Sequence, residues 1–413
     1  MSRAIPVADT IEVSAAEIDW DVIVIGAGPA GSFAATLLAR RGLRTLLVER
    51  KTLPRYKVCG ACLNPLSLSL LESAQLTHAV ADAVPLHRFC LQSSGGTLEI
   101  PLPGSVSISR EQLDVRLTGA AIEAGADFVS ACTAKVLPLD TAQELRVFQT
   151  PMREIELLPV GGNQTTVRAF VVVAADGLTH GCLSRLGEFS TKIEKSSRLG
   201  AGTIVSDAPS FYEPGCIYMS TARAGYVGLV RLEDDRLNVA AALDAIAVDR
   251  DGSLAETAGC VIESAGFPQI EALRDADWFG TPALTRSTRP LASQRVFLIG
   301  DAAGYVEPFT GEGIAWAFAS AKSVVPLVQG ACQRWDSLLE STWNDDWLHA
   351  VGEHQGWCRR LARLLRYPTA LSALTQVVGA CPWLAGPVVR RLNRIPANAT
   401  MTVHDSVSAQ KAG

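Results

Sequence analysis

The 413-residue sequence is poor in patterns that would bind a metal or a nucleic acid. Its six histidines include no H-x-x-x-H pair, and its ten cysteines include one C-x-x-C pair, Cys59 and Cys62. Because a structural zinc site needs four ligands at close spacings, no metal site is predicted. A net charge of −5 offers no general attraction to nucleic acid. With 48% hydrophobic and 19% charged residues, the chain has the composition of a globular protein with a large core.

The N-terminal segment lacks the apolar stretch of a secretory signal. Acidic residues are spread along it, and we therefore expect residues 1–19 to form a mobile leader, with the fold starting near Trp20. The scattered cysteines are more typical of reduced thiols in a cytoplasmic protein than of a secreted disulfide framework. Cytoplasmic localisation is therefore expected.

A β-strand, a glycine-rich turn and a helix follow the leader. The apolar run 21–25 is typical of a strand buried on both faces of a parallel sheet, and a second such run, 44–49, follows the helix. The turn between them reads GAGPAG, with Gly26, Gly28 and Gly31 in the G-x-G-x-x-G spacing. Its first glycine allows a tight turn, its second lets a pyrophosphate approach, and its third permits close packing. This unit predicts dinucleotide binding.

Two further strand ends favour FAD over NAD. Buried runs end in Asp176-Gly177 and in Gly300-Asp301, and the second is followed by PFTGEG and a helix. Acidic groups at both strand ends suit a cofactor with an additional polyol chain, which FAD has and NAD lacks. Gly311 and Gly313 begin a helix whose N–H groups would face the flavin pyrimidine, where charge accumulates on reduction.

Strand patterns of another kind interrupt this nucleotide-binding sequence. A hairpin is predicted over 86–102, and three strands in meander order over 215–243. The fold class is therefore α/β: a Rossmann-like FAD-binding domain with an inserted antiparallel β-sheet substrate domain and a C-terminal helical region. The predicted bounds are 20–85, 103–190 and 286–330 for the FAD-binding domain, 86–102 and 191–285 for the substrate domain, and 331–413 for the helical region.

These motifs resemble those of a known family. GAGPAG…VER, ISREQLDVRL, VVVAADG and GDAAGYVEPFTGEG are similar to the FAD-dependent oxidoreductases of the para-hydroxybenzoate hydroxylase fold. Within that fold, Cys59-Gly60 and the run from Glu307 to Gly313 resemble the geranylgeranyl reductase-like group. The resemblance covers about residues 20 to 330. No W-x-W-x-x-P segment, as carried by the halogenase branch, is present.

The resemblance implies a set of cofactor-binding residues. Glu49 would bind the adenosine ribose, with Arg50 beside it, and Val136 would offer backbone to the adenine. Arg110 would lie near the flavin diphosphate or ribityl chain, and Asp301 would hold oxygens of the ribityl chain or the pyrophosphate. The full predicted set is Gly26, Gly28, Pro29, Ala30, Gly31, Glu49, Arg50, Cys59, Gly60, Ala61, Arg110, Val136, Asp176, Gly177, Gly300, Asp301, Pro308, Gly311, Gly313 and Ile314.

The C-x-x-C pair has two competing interpretations besides a metal site. Flavin disulfide reductases place a cysteine pair after the first βαβ unit, but their pair is more widely spaced, and they carry a second G-x-G-x-x-G that is absent here. We favour a loop lining the flavin, in which Gly60 allows close backbone approach and Cys62 packs. Cys59 would lie near the flavin and is the candidate catalytic residue.

The C-terminal region suggests an apolar substrate. Residues 367–389 contain no charged residue and are flanked by arginines. Either these residues cover a buried tunnel, or they form a patch held at an anionic membrane surface.

The favoured function is reduction of a C=C bond in a lipophilic substrate by hydride from FAD, with NAD(P)H or another donor binding transiently. The alternative is an FAD-dependent monooxygenase that hydroxylates an aromatic or lipid-phenol substrate. A non-enzymatic prenyl-protein chaperone of this fold would lack FAD, and the intact glycine motifs argue against it.

Overall fold

The computed structural model describes most of the chain, in the ranges 6–13, 18–93, 96–139, 152–307, 311–364 and residue 366. Two features of the sequence fall outside these ranges. They are Pro308, predicted to bind the cofactor, and the apolar segment 367–389.

The strands of the described ranges are numbered in chain order. They are β1 Asp19–Ile25, β2 Thr45–Val48, β3 Cys62–Leu63, β4 Val84–Ser93, β5 Gly96–Ser107, β6 Asp127–Val129, β7 Cys132–Val136, β8 Arg153–Pro159, β9 Thr165–Ala174, β10 Ser190–Ile193, β11 Leu199–Val205, β12 Cys216–Ala222, β13 Gly225–Arg231, β14 Leu237–Leu243, β15 Phe279–Ala283, β16 Arg286–Arg289, β17 Ala292–Ser293, β18 Val296–Leu298 and β19 Gly304–Tyr305.

The α-helices are numbered in the same way. They are α1 Pro29–Ala39, α2 Pro65–Ser73, α3 Arg110–Glu123, α4 Ala245–Asp251, α5 Leu254–Ala265, α6 Gly313–Gln333, α7 Leu338–Trp347 and α8 Glu353–Leu364, and a short π-helix, Leu348–Gly352, joins the last two. Within the described ranges, no helix has the length and apolar character needed to cross a membrane.

The nucleotide-binding part is built on a parallel sheet. Its strands lie in the order β18-β9-β1-β2-β6, and all four of these neighbouring pairs are parallel. Residues 22–24 of β1 are fully buried, as expected for a central strand covered on both faces. Helix α1 packs against α3 and α6. The predicted βαβ unit and its continuation after residue 295 are confirmed.

A second sheet has eight strands in the order β15-β11-β14-β13-β12-β4-β5-β3. All of its pairs are antiparallel except β12 with β4. One face packs against α5 around Tyr212, Val227 and Leu229. The other face, around Phe89, Ile217 and Met219, forms a separate hydrophobic cluster. The antiparallel sheet predicted as an insertion in the α/β fold is therefore confirmed.

The structure corrects the prediction for the N-terminal segment. The backbone N–H of Thr10 donates to Phe128 O (3.0 Å), the N–H of Phe128 donates back to Thr10 Oγ1 (2.8 Å), and Asp9 Oδ1 accepts from Ser130 N (2.7 Å). Residues 6–13 are therefore not part of a mobile leader. They supply hydrogen-bond partners to the end of the parallel sheet, where β6 is the edge strand.

Two further features differ from the sequence prediction. The hairpin is longer than 86–102, because β4 and β5 span residues 84–107. In addition, β10, β16 and β19 form a small third sheet that periodicity did not indicate. The predicted domain borders near residues 190 and 286 fall on β10 and β16, which pair with each other.

Candidate functional site

A cavity of about 820 Å³ lies where the carboxyl ends of the parallel strands meet the inner face of the antiparallel sheet. Ligands of open α/β sheets bind outside the carboxyl ends of the strands, so its position suits a nucleotide cofactor. Residues predicted from segments nearly 290 positions apart line this one cavity. They are Gly26, Gly28, Pro29, Ala30, Glu49, Arg50, Cys59, Gly60, Arg110, Asp176, Gly177, Asp301, Gly311, Gly313 and Ile314.

Four other predicted residues do not line the cavity. Val136 is fully buried near the far end of β7, and residues 132–134 at the near end of that strand line the cavity instead. Gly31 and Gly300 act in packing: a Cβ added to Gly31 would lie 1.8 Å from Gly26 O, and one added to Gly300 would lie 2.8 Å from the Ala30 Cβ. The fourth, Ala61, belongs to the cysteine loop described below.

The three glycines of the first turn have different neighbours. Gly26 has a φ of +107°, and an added Cβ would lie 2.4 Å from Ala175 O. At Gly26 and Gly31 a side chain would clash with the protein's own backbone, so glycine is required there whether or not a cofactor binds. At Gly28, by contrast, an added Cβ would meet, among the described residues, only Arg110 Nη2, at 3.6 Å. Gly28 also caps the N-terminus of α1, where free N–H groups and the helix dipole favour an anion.

Glu49 follows β2 and is fixed against the glycine turn. Its Oε2 accepts hydrogen bonds from Ala27 N (2.9 Å) and Arg55 Nη2 (3.1 Å), and its Oε1 accepts one from Lys51 N (3.1 Å). The side chain is almost fully buried. These contacts hold the carboxylate at the edge of the cavity where the ribose of a dinucleotide is expected.

Three cationic side chains gather beside the glycine turn. Arg110 donates from Nε to Asp114 Oδ1 (2.8 Å) and from Nη2 to Asp114 Oδ2 (2.7 Å), and Arg55 Nη1 also donates to that Oδ2 (2.8 Å). Lys57 is the third cation, and its pKa is lowered by burial and then by the nearby Arg110 and Arg55. Burial and the neighbouring positive charges disfavour the protonated form of Lys57. A bound polyanion would therefore stabilise the cluster.

The sequence prediction missed three of these residues: Arg55, Lys57 and Asp114. The spacing of Arg110 and Asp114, four positions apart on a helix, would have indicated the ion pair. Arg55 and Lys57 lie in a segment without periodicity, so nothing local indicated their role.

Two acidic groups face the cavity from the other strand ends. Oδ2 of Asp176 accepts from Cys182 N (2.9 Å), whereas its Oδ1 is buried and has no hydrogen-bond partner among the described residues. Burial raises the pKa of Asp301, and Lys57, Arg110 and Arg286 act in the opposite direction. Both carboxyl groups are placed to accept hydrogen bonds from a ligand rich in hydroxyl groups.

The arrangement fits FAD. The N-terminus of α1, Arg110 and Lys57 would hold the diphosphate, and Glu49 would hold the adenosine ribose. The unpartnered oxygen of Asp176, together with Asp301, would meet the ribityl chain. The open space at Gly28 leaves room for the phosphates to approach the backbone.

The cysteine loop lies between this site and the antiparallel sheet. Cys59 O accepts from Asn238 Nδ2 on β14 (2.9 Å), and Cys59 Sγ accepts from Ala61 N (3.4 Å). The left-handed residue of the loop is Ala61, with a φ of +55°, rather than Gly60. A Cβ added to Gly60 would have no neighbour within 4 Å among the described residues, so the backbone there is open to a ligand.

Cys62 lines the cavity and also packs against a neighbouring loop. Both it and Cys59 are free thiols, and Cys62 Sγ donates to Gly60 O (3.1 Å). Its Cβ would lie 3.2 Å from a Cβ added to Gly311, so the cysteine loop packs against the loop before α6. Burial raises the pKa of the Cys62 thiol, and the neighbouring Cys59 adds to this. A dithiol relay needs a thiolate, which this environment disfavours.

The remaining wall of the cavity is mostly apolar. It is the inner face of the antiparallel sheet, and its side chains are contributed by β4, β5, β12, β13 and β14. We call this part the chamber, and define it by Phe89, Leu91, Leu98, Ile100, Leu102, Ile217, Met219, Tyr226, Gly228, Val230, Ala240 and Ala242.

Known proteins resemble this chain over most of its length. The menaquinone reductase of Mycobacterium tuberculosis is 27% identical over 377 residues, which cover 85% of each chain. The digeranylgeranylglycerophospholipid reductase 3 of Methanosphaera stadtmanae is 25% identical over 312 residues, covering 73% of this chain and 75% of the relative.

Solved structures share the fold. The flavin-dependent brominase Bmp2 superposes with a TM-score of 0.73, covering 95% of this chain and 98% of that one, at 17% identity. At that identity the likeness concerns the fold alone. A family model described as "FAD binding domain" matches residues 19–325, well over half of the chain. The chain therefore belongs to this family of FAD-binding oxidoreductases, with the para-hydroxybenzoate hydroxylase fold and with relatives among the geranylgeranyl reductases.

Proposed function

We propose that the protein is an FAD-dependent reductase of C=C bonds in a lipophilic substrate that carries a polyprenyl chain. The observation that carries this proposal is the chamber, an apolar wall that continues directly from the nucleotide-binding cleft. Binding pockets match the polarity of their ligands, and a wall of aliphatic and aromatic side chains suits a hydrocarbon.

The names of the relatives support the same substrate class. One is named for reducing a lipid with geranylgeranyl chains, and another for reducing menaquinone. Both names describe reduction of a lipid, which agrees with an apolar wall beside the cofactor site.

Each part of the site would contribute to such a reaction. The chamber would bind and orient the hydrocarbon and exclude water, because few of its side chains carry polar groups. The cation cluster, Glu49 and the two aspartates would fix the cofactor against this wall. Reduced FAD would supply the hydride. NAD(P)H or another donor, bound transiently, would then reduce the oxidised FAD again.

The proposed substrate class also bears on where in the cell the enzyme acts. A substrate of this class resides in membranes, and we propose that the enzyme meets the bilayer peripherally through the arginine-flanked segment 367–389.

An anaerobic assay tests the proposed reaction. The holoenzyme is reduced with dithionite in the absence of oxygen and mixed with menaquinone or with geranylgeranyl phospholipid, and the lipid is analysed by mass spectrometry. A C=C reductase adds two hydrogen atoms to the polyprenyl chain without oxygen, and fragmentation distinguishes these from hydrogens on the quinone ring, which dithionite itself reduces. Product that forms only in air and contains labelled oxygen would instead identify a monooxygenase, and a mixture without any product would contradict this substrate class.

A further inference from the structure

One row of residues crosses the inner face of the antiparallel sheet at right angles to its strands. The register places the residues of this row side by side on six neighbouring strands. In strand order they are Gly202, Ala240, Gly228, Met219, Leu91 and Leu98. All of them except Gly202 line the cavity. A linear ligand lying across the strands would therefore follow this row.

The size of the side chains changes abruptly along the row. On β11, β14 and β13 the residues are glycine or alanine, and on β12, β4 and β5 they are methionine or leucine. Gly202 is covered by Tyr56 and Val58, since an added Cβ there would lie 2.7 Å from Tyr56 Oη and 3.3 Å from Val58 Cγ1. The small residues Ala240 and Gly228 leave space above the sheet, and the large ones reduce it. Met219, on β12, is the first large side chain of the row.

Met219 extends toward the small residues. A Cβ added to Gly228 would lie 3.2 Å from the Met219 Cε and 3.7 Å from its Sδ. The thioether therefore lies across Gly228, over the neighbouring strand. Methionine is unbranched and adapts its shape readily, so this side chain is suited to move aside for some ligands and to block others.

The cavity continues on the far side of Met219. There Phe89 and Leu91 on β4, and Leu98, Ile100 and Leu102 on β5, line it. We call these five residues, on the β4 side of Met219, the far compartment. We call Tyr226, Gly228, Ala240 and Ala242, on the β13 and β14 side, the near compartment. An extended chain that occupies both compartments along the row must pass Met219.

We propose that Met219 is a specificity-determining residue, which limits how much of a linear isoprenoid chain enters the far compartment. The identity of the ligand rests on the proposed function, but the separation into two compartments rests on strand register and side-chain size alone. Removing the Met219 side chain would join the compartments, and enlarging it would close the far one.

Binding of polyprenols tests this proposal without requiring turnover. All-trans geraniol, farnesol, geranylgeraniol and solanesol are titrated into the FAD-loaded protein, and binding is followed by the change in flavin fluorescence. Met219→Ala is expected to raise the affinity for the longest alcohols relative to geraniol by about tenfold, which is the usual effect of changed volume in a hydrophobic pocket. Met219→Phe is expected to shift the same ratio in the opposite direction.

Two matched variants serve as controls. Met219→Leu keeps the volume of the side chain, and should leave the ratio of long-chain to short-chain affinity unchanged. Val227→Ala truncates a fully buried side chain of β13 on the opposite face of the sheet, outside the cavity, and should leave that ratio unchanged as well. FAD content identifies any variant that fails to fold. If Met219→Phe does not fold, the comparison of Met219→Ala with the wild type still tests the proposal.

Three results would overturn the proposal: an unchanged ratio in folded Met219→Ala, an equal shift in Val227→Ala, or no binding of any polyprenol to the wild-type holoenzyme. The proposed reaction can fail separately. If the ratio shifts as expected but no double bond is reduced anaerobically, the role of Met219 stands and the reductase assignment does not.

Discussion

Arg110 and Asp114 form a two-bonded ion pair one turn apart on α3, with Asp114 fully buried and Arg110 Nη2 directed at the space above Gly28. The carboxylate thus holds a guanidinium where a diphosphate would bind. It does so without facing the cavity itself, since Arg110 lines the cavity and Asp114 does not.

Asp114→Asn should therefore weaken FAD binding although Asp114 has no place in the cavity. Removal of one partner from a buried ion pair costs about 3–5 kcal/mol, because it leaves charge uncompensated. Here two arginines lose their common partner. We expect a lower melting temperature of the apoprotein together with a higher Kd for FAD, measured by fluorescence quenching. Asp82→Asn removes the charge of the exposed partner of Arg116, a residue of the same helix; it is the matched control and should change neither quantity appreciably.

Substitution of the glycines in the first turn should separate cofactor binding from folding. Because an added Cβ at Gly28 would meet only Arg110 within the described part of the chain, Gly28→Val should give folded, colourless protein. Gly31→Val places a side chain against the backbone of Gly26 and should yield no folded protein. Circular dichroism and flavin absorbance distinguish these outcomes. Flavin at wild-type occupancy in Gly28→Val would contradict the assignment of the phosphate site, and Gly119→Val, which meets no neighbour within 4 Å among the described residues, should retain FAD.

Much of this site was predictable from the sequence because its signals are local. The buried strand before Gly26, the glycine spacing and the acidic residue after β2 lie within one short stretch, and each has a direct physical meaning. The partners of Thr10 were not predictable, since the contact with Phe128 joins segments that only the finished sheet brings together. The same holds for Lys57, whose charged neighbours include Arg110 and Asp114 on α3 and Asp301 after β18.

The cysteine loop gives a prediction with opposite outcomes for its two interpretations. If Cys62 packs against Gly311, Cys62→Ser should keep FAD content and the rate of flavin reduction close to those of the wild type. A dithiol relay requires both sulfur atoms for exchange, so either single substitution would then abolish reduction. Stopped-flow measurement of flavin reduction in Cys59→Ser and Cys62→Ser decides the matter. Loss of reduction in both variants, with FAD still bound, would show that the packing interpretation is wrong.

The apoprotein should show a pH dependence that originates at Asp301. Burial raises the pKa of this carboxyl group above its ordinary value of 3.8. The folded protein therefore holds the proton to a higher pH than the unfolded chain does. The stability that follows is fully present below pH 3.8 and is lost as the pH rises through the folded-state pKa.

Asp301→Asn removes this titration while keeping the shape of the side chain. The melting temperature of the apo variant, relative to apo wild type, should therefore increase as the pH rises from about 4 toward neutrality. Differential scanning calorimetry of both proteins over this range measures the difference. Asp207→Asn, at an exposed position, should show a constant difference across the same range. If the Asp301→Asn difference is also constant, Asp301 is ionised equally in the folded and unfolded chains, and its burial has been compensated by Lys57, Arg110 and Arg286.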